Sequence, residues 1–219
     1  MRILTYVPLN PTRPRLHPLT AASIDNLAWP TMPVVYGRND TPNARGKFYD
    51  LRDKHNEARR LVLDGGYDAL LLIEHDMIVP HDALQRLVAL DVPVAYSLYV
   101  TRHVPRKWLA LTRLTADDCE FVSDDPDYAR RWFGNGQDAI ETQGAGMGCT
   151  LIRRDVLEQL AFRLDRFGAN ADDWAFALDC IAYGVPQFTH CGVVCGHIDG
   201  GVVQWPDADA PGLVMKEKL

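Results

Sequence analysis

Residues 70–80 read Leu-Leu-Leu-Ile-Glu-His-Asp-Met-Ile-Val-Pro. Four apolar residues in succession, Leu70, Leu71, Leu72 and Ile73, run into two acids that flank a histidine. A short continuous apolar run stopped by a turn signal reads as a strand buried on both faces. Such strands belong inside α/β sheets, where ligands bind in the crevice beyond the carboxyl ends of the strands. Glu74, His75 and Asp76 therefore stand where a fold of this kind does its chemistry. An Asp after a strand is also an ordinary turn or cap residue, so the stretch alone does not separate a site from a turn.

The rest of the chain fits an α/β order. Residues 2–7 predict a first strand, ended by Pro8. Pro11, Pro14 and Pro18 make residues 10–18 a loop, followed by a short helix over 19–27 and a second strand over 33–36. The polar, glycine- and proline-marked stretch 37–46 is a surface loop. Residues 47–63 predict a helix with Phe48, Leu51, Ala58 and Val62 on its buried face, stopped by Gly65 and Gly66. A helix over 82–90 and a strand over 92–99 come next. Residues 102–140 carry charge runs, Trp108, Trp132 and Phe133 and predict an excursion with a hairpin or short helix. Order returns with a strand over 147–152, a helix over 153–160, a helix capped by Asn170 and running to 183, and a strand over 186–195. The tail from Val202 is expected to wrap over the site or fray.

Composition narrows the function. The chain has 219 residues, 47% apolar and 24% charged, enough for one sizeable core and a single domain over 1–219. A net charge of −6 with a pI near 5.6 argues against a general nucleic-acid binder. Local basic runs at 102–107, Arg130–Arg131 and Arg153–Arg154 could still meet a phosphate or simply face water. Five cysteines, an odd number, and no secretory signal predict reduced thiols and a cytoplasmic protein. No apolar run reaches the roughly 18–20 residues of a membrane span. No repeat, heptad array or low-complexity tract is present, and nothing specifies an oligomeric state.

Glu74 and Asp76, Asp172 and Asp173, and His197 each end a strand or begin a helix. Carboxylates with one imidazole suit a hard or borderline divalent ion such as Mg²⁺ or Mn²⁺. Taken singly, Asp172 and Asp173 are helix-start acids, which the dipole favours, and His197 is an ordinary structural histidine; the combination says more than its parts. A structural zinc site built from His190, Cys191, Cys195 and His197 lacks the Cys-x₂-Cys knuckle and a distant second ligand pair. No Gly-x-Ser-x-Gly elbow and no phosphate-binding loop of the Walker type occur. Gly144, Gly146 and Gly148 let backbone approach a ligand closely, without the spacing of a dinucleotide fingerprint.

These segments, in this order, resemble the GT-A glycosyltransferases, especially small family-2-like members of bacteria and phages. The resemblance runs from the first strand through Asn56-Glu-Ala-Arg59 and residues 66–80 to the glycine-rich strand and helix 144–157. It continues with Asp172-Asp173-Trp-Ala-Phe176 and ends at Cys195-Gly-His197-Ile. The family's acidic Asp-x-Asp motif is here Glu74-His75-Asp76, Asp172 stands where Glu is usual, and residues 102–140 match no family segment. The resemblance implies a Rossmann-like three-layer sandwich with a mixed, mostly parallel sheet, residues 102–140 being an acceptor-side insert and 202–219 a C-terminal tail.

It further implies Mn²⁺ or Mg²⁺ held by Asp76 and His197, with Glu74 direct or through water. Val7, Pro8, Asn56, Arg59, Glu74, His75, Asp76, Gly144 and Gly146 would bind a nucleoside-diphosphate sugar donor. Asp173 or Asp172 would be the general base in an inverting enzyme, or would position the sugar in a retaining one. His75 is expected to point away. The acceptor stays open among a glycan, a protein, a small molecule and a modified nucleic-acid base. A nucleotidyltransferase of related fold would need a glycine-rich basic segment after the first strand, and residues 8–15 contain no glycine. A non-catalytic nucleotide-sugar-binding module would bind donor without turnover.

Overall fold

Buried apolar strands set the frame. The computed structural model describes residues 1–9, 15–30, 33–38, 46–102, 104–134, 139–164, 172–207 and 214–219. The first strand, β1 (Ile3–Pro8), is buried along its whole length. Helix α1 (Pro18–Asp25) follows, with proline in its first turn and the His17 side chain accepting from the Leu19 N–H at 3.3 Å. Next come β2 (Val34–Gly37) and α2 (Lys47–Gly65). Gly66 ends α2 in the left-handed conformation, φ 64°, which a side chain would strain. The predicted central strand is β3 (Ala69–Ile73), all five residues fully buried. At about 1.5–3 kcal/mol for each large apolar side chain removed from water, this strand anchors the core.

The chain then makes β4 (Met77–Ile78), α3 (Ala83–Ala89) and β5 (Val94–Leu98). The predicted excursion contains a hairpin, β6 (Leu111–Leu114) with β7 (Cys119–Phe121), a short 3₁₀ turn, and α4 (Pro126–Gly134). After it come β8 (Ala139–Thr142), β9 (Cys149–Arg153), α5 (Arg154–Gln159) and α6 (Asp172–Ala182). The last elements are β10 (Gln187–Val194), β11 (Gly196–Asp199), β12 (Val202–Pro206) and β13 (Val214–Lys218).

The central sheet has seven strands in the order β2-β1-β3-β9-β5-β10-β8. β2, β1, β3, β5 and β10 run one way, while β9 and β8 pair antiparallel to their neighbours. Alternate residues of β3 feed opposite cores: Ala69, Leu71 and Ile73 pack with Ile24 of α1 and Leu84 and Leu87 of α3. Leu70 and Leu72 pack with Ala58 and Val62 of α2, Val156 and Leu157 of α5 and Phe176 of α6. Helices thus cover both faces of a largely parallel sheet, an α/β architecture compatible with the Rossmann-like class.

Three expectations are corrected. The 202–219 tail does not fray among its described residues; β12 and β13 join β11 and β4 in a second, four-stranded antiparallel sheet. The excursion ends before residue 140, because β8 already belongs to the central sheet, and its Trp108, Val122 and Trp132 share a core with Leu98, Ile140 and Cys191. On α2 the buried face runs through Asp50, Lys54, His55, Ala58 and Val62 rather than Phe48 and Leu51. The amino-terminal half of α2 buries polar groups because it covers the carboxyl ends of the strands, where Lys54 Nζ donates to the Leu9 carbonyl.

Candidate active site

β3 ends at Ile73, and the chain turns at once. The Glu74 N–H donates to the Gly148 carbonyl at 2.9 Å, and the Met77 N–H donates back to the Glu74 carbonyl at 3.2 Å. That turn brings the Glu74 and Asp76 side chains to one side. β11 supplies the third group: His197 lies opposite Met77 in the small sheet, and the Ile198 N–H donates to the Asp76 carbonyl at 2.9 Å. One ligand atom from each of Glu74, Asp76 and His197 falls within 4.8 Å of the others. Oxygen and nitrogen ligands about 2.1 Å from a small divalent ion lie roughly 3–4.2 Å apart; His197 Nε2 and Asp76 Oδ1, 3.9 Å apart, already meet that spacing.

The protonation pattern fits as well. His197 Nδ1–H donates to the Val100 carbonyl at 2.7 Å, leaving the Nε2 lone pair for a ligand. Burial lowers the His197 pKa, a shift the Val100 carbonyl opposes and Arg102 reinforces, so the ring is neutral at physiological pH. Asp76 Oδ1 is buried and has no hydrogen-bond partner, whereas Oδ2 is ion-paired with Arg102. An unsatisfied buried carboxylate oxygen costs free energy that a bound cation would recover. His75 Nε2 lies 3.8 Å from Asp76 Oδ2 and is partly buried.

Behind the turn, Gly148 ties two site residues together. Its carbonyl takes the Glu74 N–H, and its own N–H donates to the Tyr99 hydroxyl at 3.1 Å. The Tyr99 ring meets His197 edge-on, centroids 5.5 Å apart. Gly144 lies at φ 153°, and a Cβ on Gly146 would come within 2.0 Å of the Tyr99 hydroxyl. Gly146→Ala is expected to push Tyr99 aside, lowering stability by about 1–3 kcal/mol. Thermal unfolding checks the stability, and Mn²⁺ titration checks whether the His197 support is lost.

The paired acids divide by environment. Asp172 is fully buried, and its Oδ2 accepts from His55 Nδ1 at 2.7 Å. Burial pulls the His55 pKa down, but the charge of Asp172 and its hydrogen bond, joined by Glu74 and Asp173, outweigh it and raise the pKa overall. His55→Phe would strand the buried Asp172 charge and is expected to cost about 3–5 kcal/mol; His55→Phe with Asp172→Leu should recover most of it. Denaturant titration of both variants measures the difference.

Asp173 is only partly buried and lines a recess of about 60 Å³. The other walls include Leu109, Leu111 and Phe121 from the excursion, Gly146 and Trp174. Desolvation, then the neighbouring charges of Asp172 and Glu74, raise the Asp173 pKa to about 7. It is thus poised as a proton acceptor near neutrality. The main-chain N–H of Trp174 donates to Asp173 Oδ1 at 2.7 Å and holds the carboxyl in place.

Two expected donor-binding residues do other work. Asn56 brackets Phe162, donating to its carbonyl at 2.7 Å and accepting its N–H at 3.1 Å. Arg59 Nε donates to the Leu157 and Leu160 carbonyls. Both fasten the 157–162 backbone onto α2, where carbonyls at the end of α5 need donors. Val7 and Pro8 form the carboxyl end of β1, Val7 fully buried; residues 10–14 of the predicted loop lie outside the described residues. The zinc ligands are not gathered, since Cys191 and Cys195 enter different cores and His190 Nδ1 accepts the Gly192 N–H at 3.0 Å. Sequence reasoning passed over His55 and Tyr99 as site residues and had Arg102 only within a basic run able to meet a phosphate. For His55 the available signal was its spacing of three residues from Ala58 and seven from Val62, which places a polar group on the helix's inner face.

No protein-family model and no curated protein matches the chain. Among solved structures it is similar to the crystal structure of A197 from STIV, with a TM-score of 0.62 and 17% identity over 100% of this chain and 95% of that one. That likeness is one of fold. Among the described residues, no helix is long and apolar enough to cross a membrane.

Proposed function

We propose that the chain is a GT-A-fold glycosyltransferase that moves a sugar from a nucleoside-diphosphate sugar to an acceptor hydroxyl. The observation that carries the reading is the meeting of Glu74, Asp76 and His197 within 4.8 Å at the carboxyl end of β3. Asp76, His197 and Glu74 would hold Mn²⁺ or Mg²⁺, which when bound would neutralise charge developing on the departing diphosphate. Asp173 takes the proton of the acceptor hydroxyl as that oxygen attacks the anomeric carbon, which makes the reaction inverting. Asp172, tied to His55, keeps Asp173 in position and holds its pKa up. The walls of the recess exclude water from the attacking hydroxyl. The five free cysteines are consistent with a reducing compartment, and we place the protein in the cytoplasm.

A donor screen tests the reading without knowledge of the acceptor. UDP-, GDP-, ADP- and dTDP-sugars are each incubated with protein and Mn²⁺, and nucleoside diphosphate is measured. Slow metal-dependent release from one donor is expected, because water can replace the acceptor. Binding of a donor with no turnover across a broad acceptor panel would favour a binding module. Pyrophosphate release from a nucleoside triphosphate would favour a nucleotidyltransferase.

A further inference from the structure

The basic run flagged at residues 102–107 meets the candidate ion site, and its first residue sits across it. Arg102 Nε donates to His197 Nε2 at 2.8 Å, and Arg102 Nη2 donates to Asp76 Oδ2. One guanidinium therefore spans ligand atoms of two of the three site residues. His197 has already committed Nδ1 to the Val100 carbonyl, so its single remaining lone pair can face the arginine or an ion, but not both. Two later residues of the run are pinned elsewhere. Arg106 pairs with Asp199 at 3.3 Å, Lys107 pairs with Asp124, and the Thr101 N–H closes the loop on the Lys107 carbonyl at 2.9 Å. The Arg102 side chain is 44% exposed, so it can swing out without breaking those contacts. Asp76 Oδ1 remains unpartnered with the arginine in place.

We propose that Arg102 is a displaceable counter-ion that couples ion binding to diphosphate binding, an inference that rests on the reading of the site given above. Without an ion, its guanidinium neutralises Asp76 and covers His197. An ion that takes the same two groups releases the arginine beside the ion. There the planar fork matches diphosphate oxygens, to which arginine binds in a bidentate manner. The ion alone must displace an internal cation and binds weakly. The ion with diphosphate binds better, because the displaced charge gains a new partner. By linkage each ligand tightens the other by the same factor.

Calorimetric titration of the full chain tests this with Mn²⁺ alone and with the preformed Mn²⁺–pyrophosphate complex. Arg102→Met removes the charge and keeps much of the stem. It is expected to bind Mn²⁺ roughly tenfold more tightly than the native protein and the complex roughly tenfold more weakly. Arg102→Lys, with a point charge in place of the fork, should fall between for Mn²⁺, and it carries the test if Arg102→Met does not fold by circular dichroism. Unchanged or weaker Mn²⁺ binding in the folded variants overturns the displacement. Unchanged affinity for the complex overturns the hand-over to diphosphate. Absence of Mn²⁺ binding in native and variant proteins alike overturns the ion site beneath both proposals, which separates that failure from failure of the role of Arg102 alone.

Discussion

Asp76→Ala is expected to lower nucleoside-diphosphate release by at least about 10²–10³-fold, the range seen when one preorganised stabiliser of developing charge is removed. Asp76 is the residue on which the site converges. Its main-chain carbonyl anchors β11 through Ile198, and its carboxylate faces both His197 and Arg102. The substitution leaves the main-chain anchor intact and removes a buried, unsatisfied carboxylate oxygen. The variant should therefore melt no lower than the native protein, although activity collapses. A ligand that binds the folded state raises the melting temperature by mass action, so Mn²⁺ should stabilise the native protein and leave Asp76→Ala unmoved. Full donor turnover in a folded Asp76→Ala protein would remove the basis for a metal-dependent transferase.

Asp173→Asn carries the second large effect, about 10²–10⁴-fold on transfer to an acceptor, the usual contribution of a positioned base. Donor binding should survive, because Asp173 lines the recess and not the ion site. A pKa of about 7 also sets a pH profile. The carboxyl accepts a proton only when ionised, so transfer should fall about tenfold per pH unit below 7 and level off above it. The same group bears on stability with a definite sign. Its folded pKa is raised above its unfolded one, so its contribution favours folding below pH 4 and is lost as pH rises through 7. Asp173→Asn should thus be more stable than native at pH 8, on the order of 3 kcal/mol, with the gain building between pH 4 and pH 7. A flat pH–rate profile with full activity in Asp173→Asn would point to retention, where the leaving phosphate takes the proton.

The parts of this molecule that depend on near neighbours in sequence were legible. β3 and the acids after it follow from a run of apolar residues and a turn. α2 follows from helical spacing with Gly66 as its stop, and α6 from the acids in its first turn. What was missed depends on partners far along the chain. Nothing in Cys149–Arg153 says that β9 runs backward between β3 and β5, since an apolar strand is equally content in either direction when both faces are buried. The separation of β11 from β10 at Cys195 is set by where each finds its hydrogen-bond partners. His55 on α2 gains meaning only from Asp172, 117 residues away, and Arg102 only from Asp76 and His197. The apolar spacing of Phe48 and Leu51 misled for a related reason. The helix buries whatever covers the strand ends, and there the covering groups must satisfy buried backbone carbonyls such as that of Leu9.

The two sheets of this protein are sewn together where the chain passes from β3 to β4 and again where it passes from β10 to β11. Glu74 and Asp76 occupy the first crossing, and His197 stands just past the second. The ion proposed above, held by all three, would therefore be a rivet through the seam between the seven-stranded sheet and the small four-stranded sheet. Without it, the two sheets are held together at this point by Arg102 and main-chain bonds. With it, the amides of β11 and β12 should exchange with deuterium more slowly, although none of them touches the ion. The same rivet would make the geometry of the proposed site sensitive to mechanical strain on the small sheet, whose β11 carries His197.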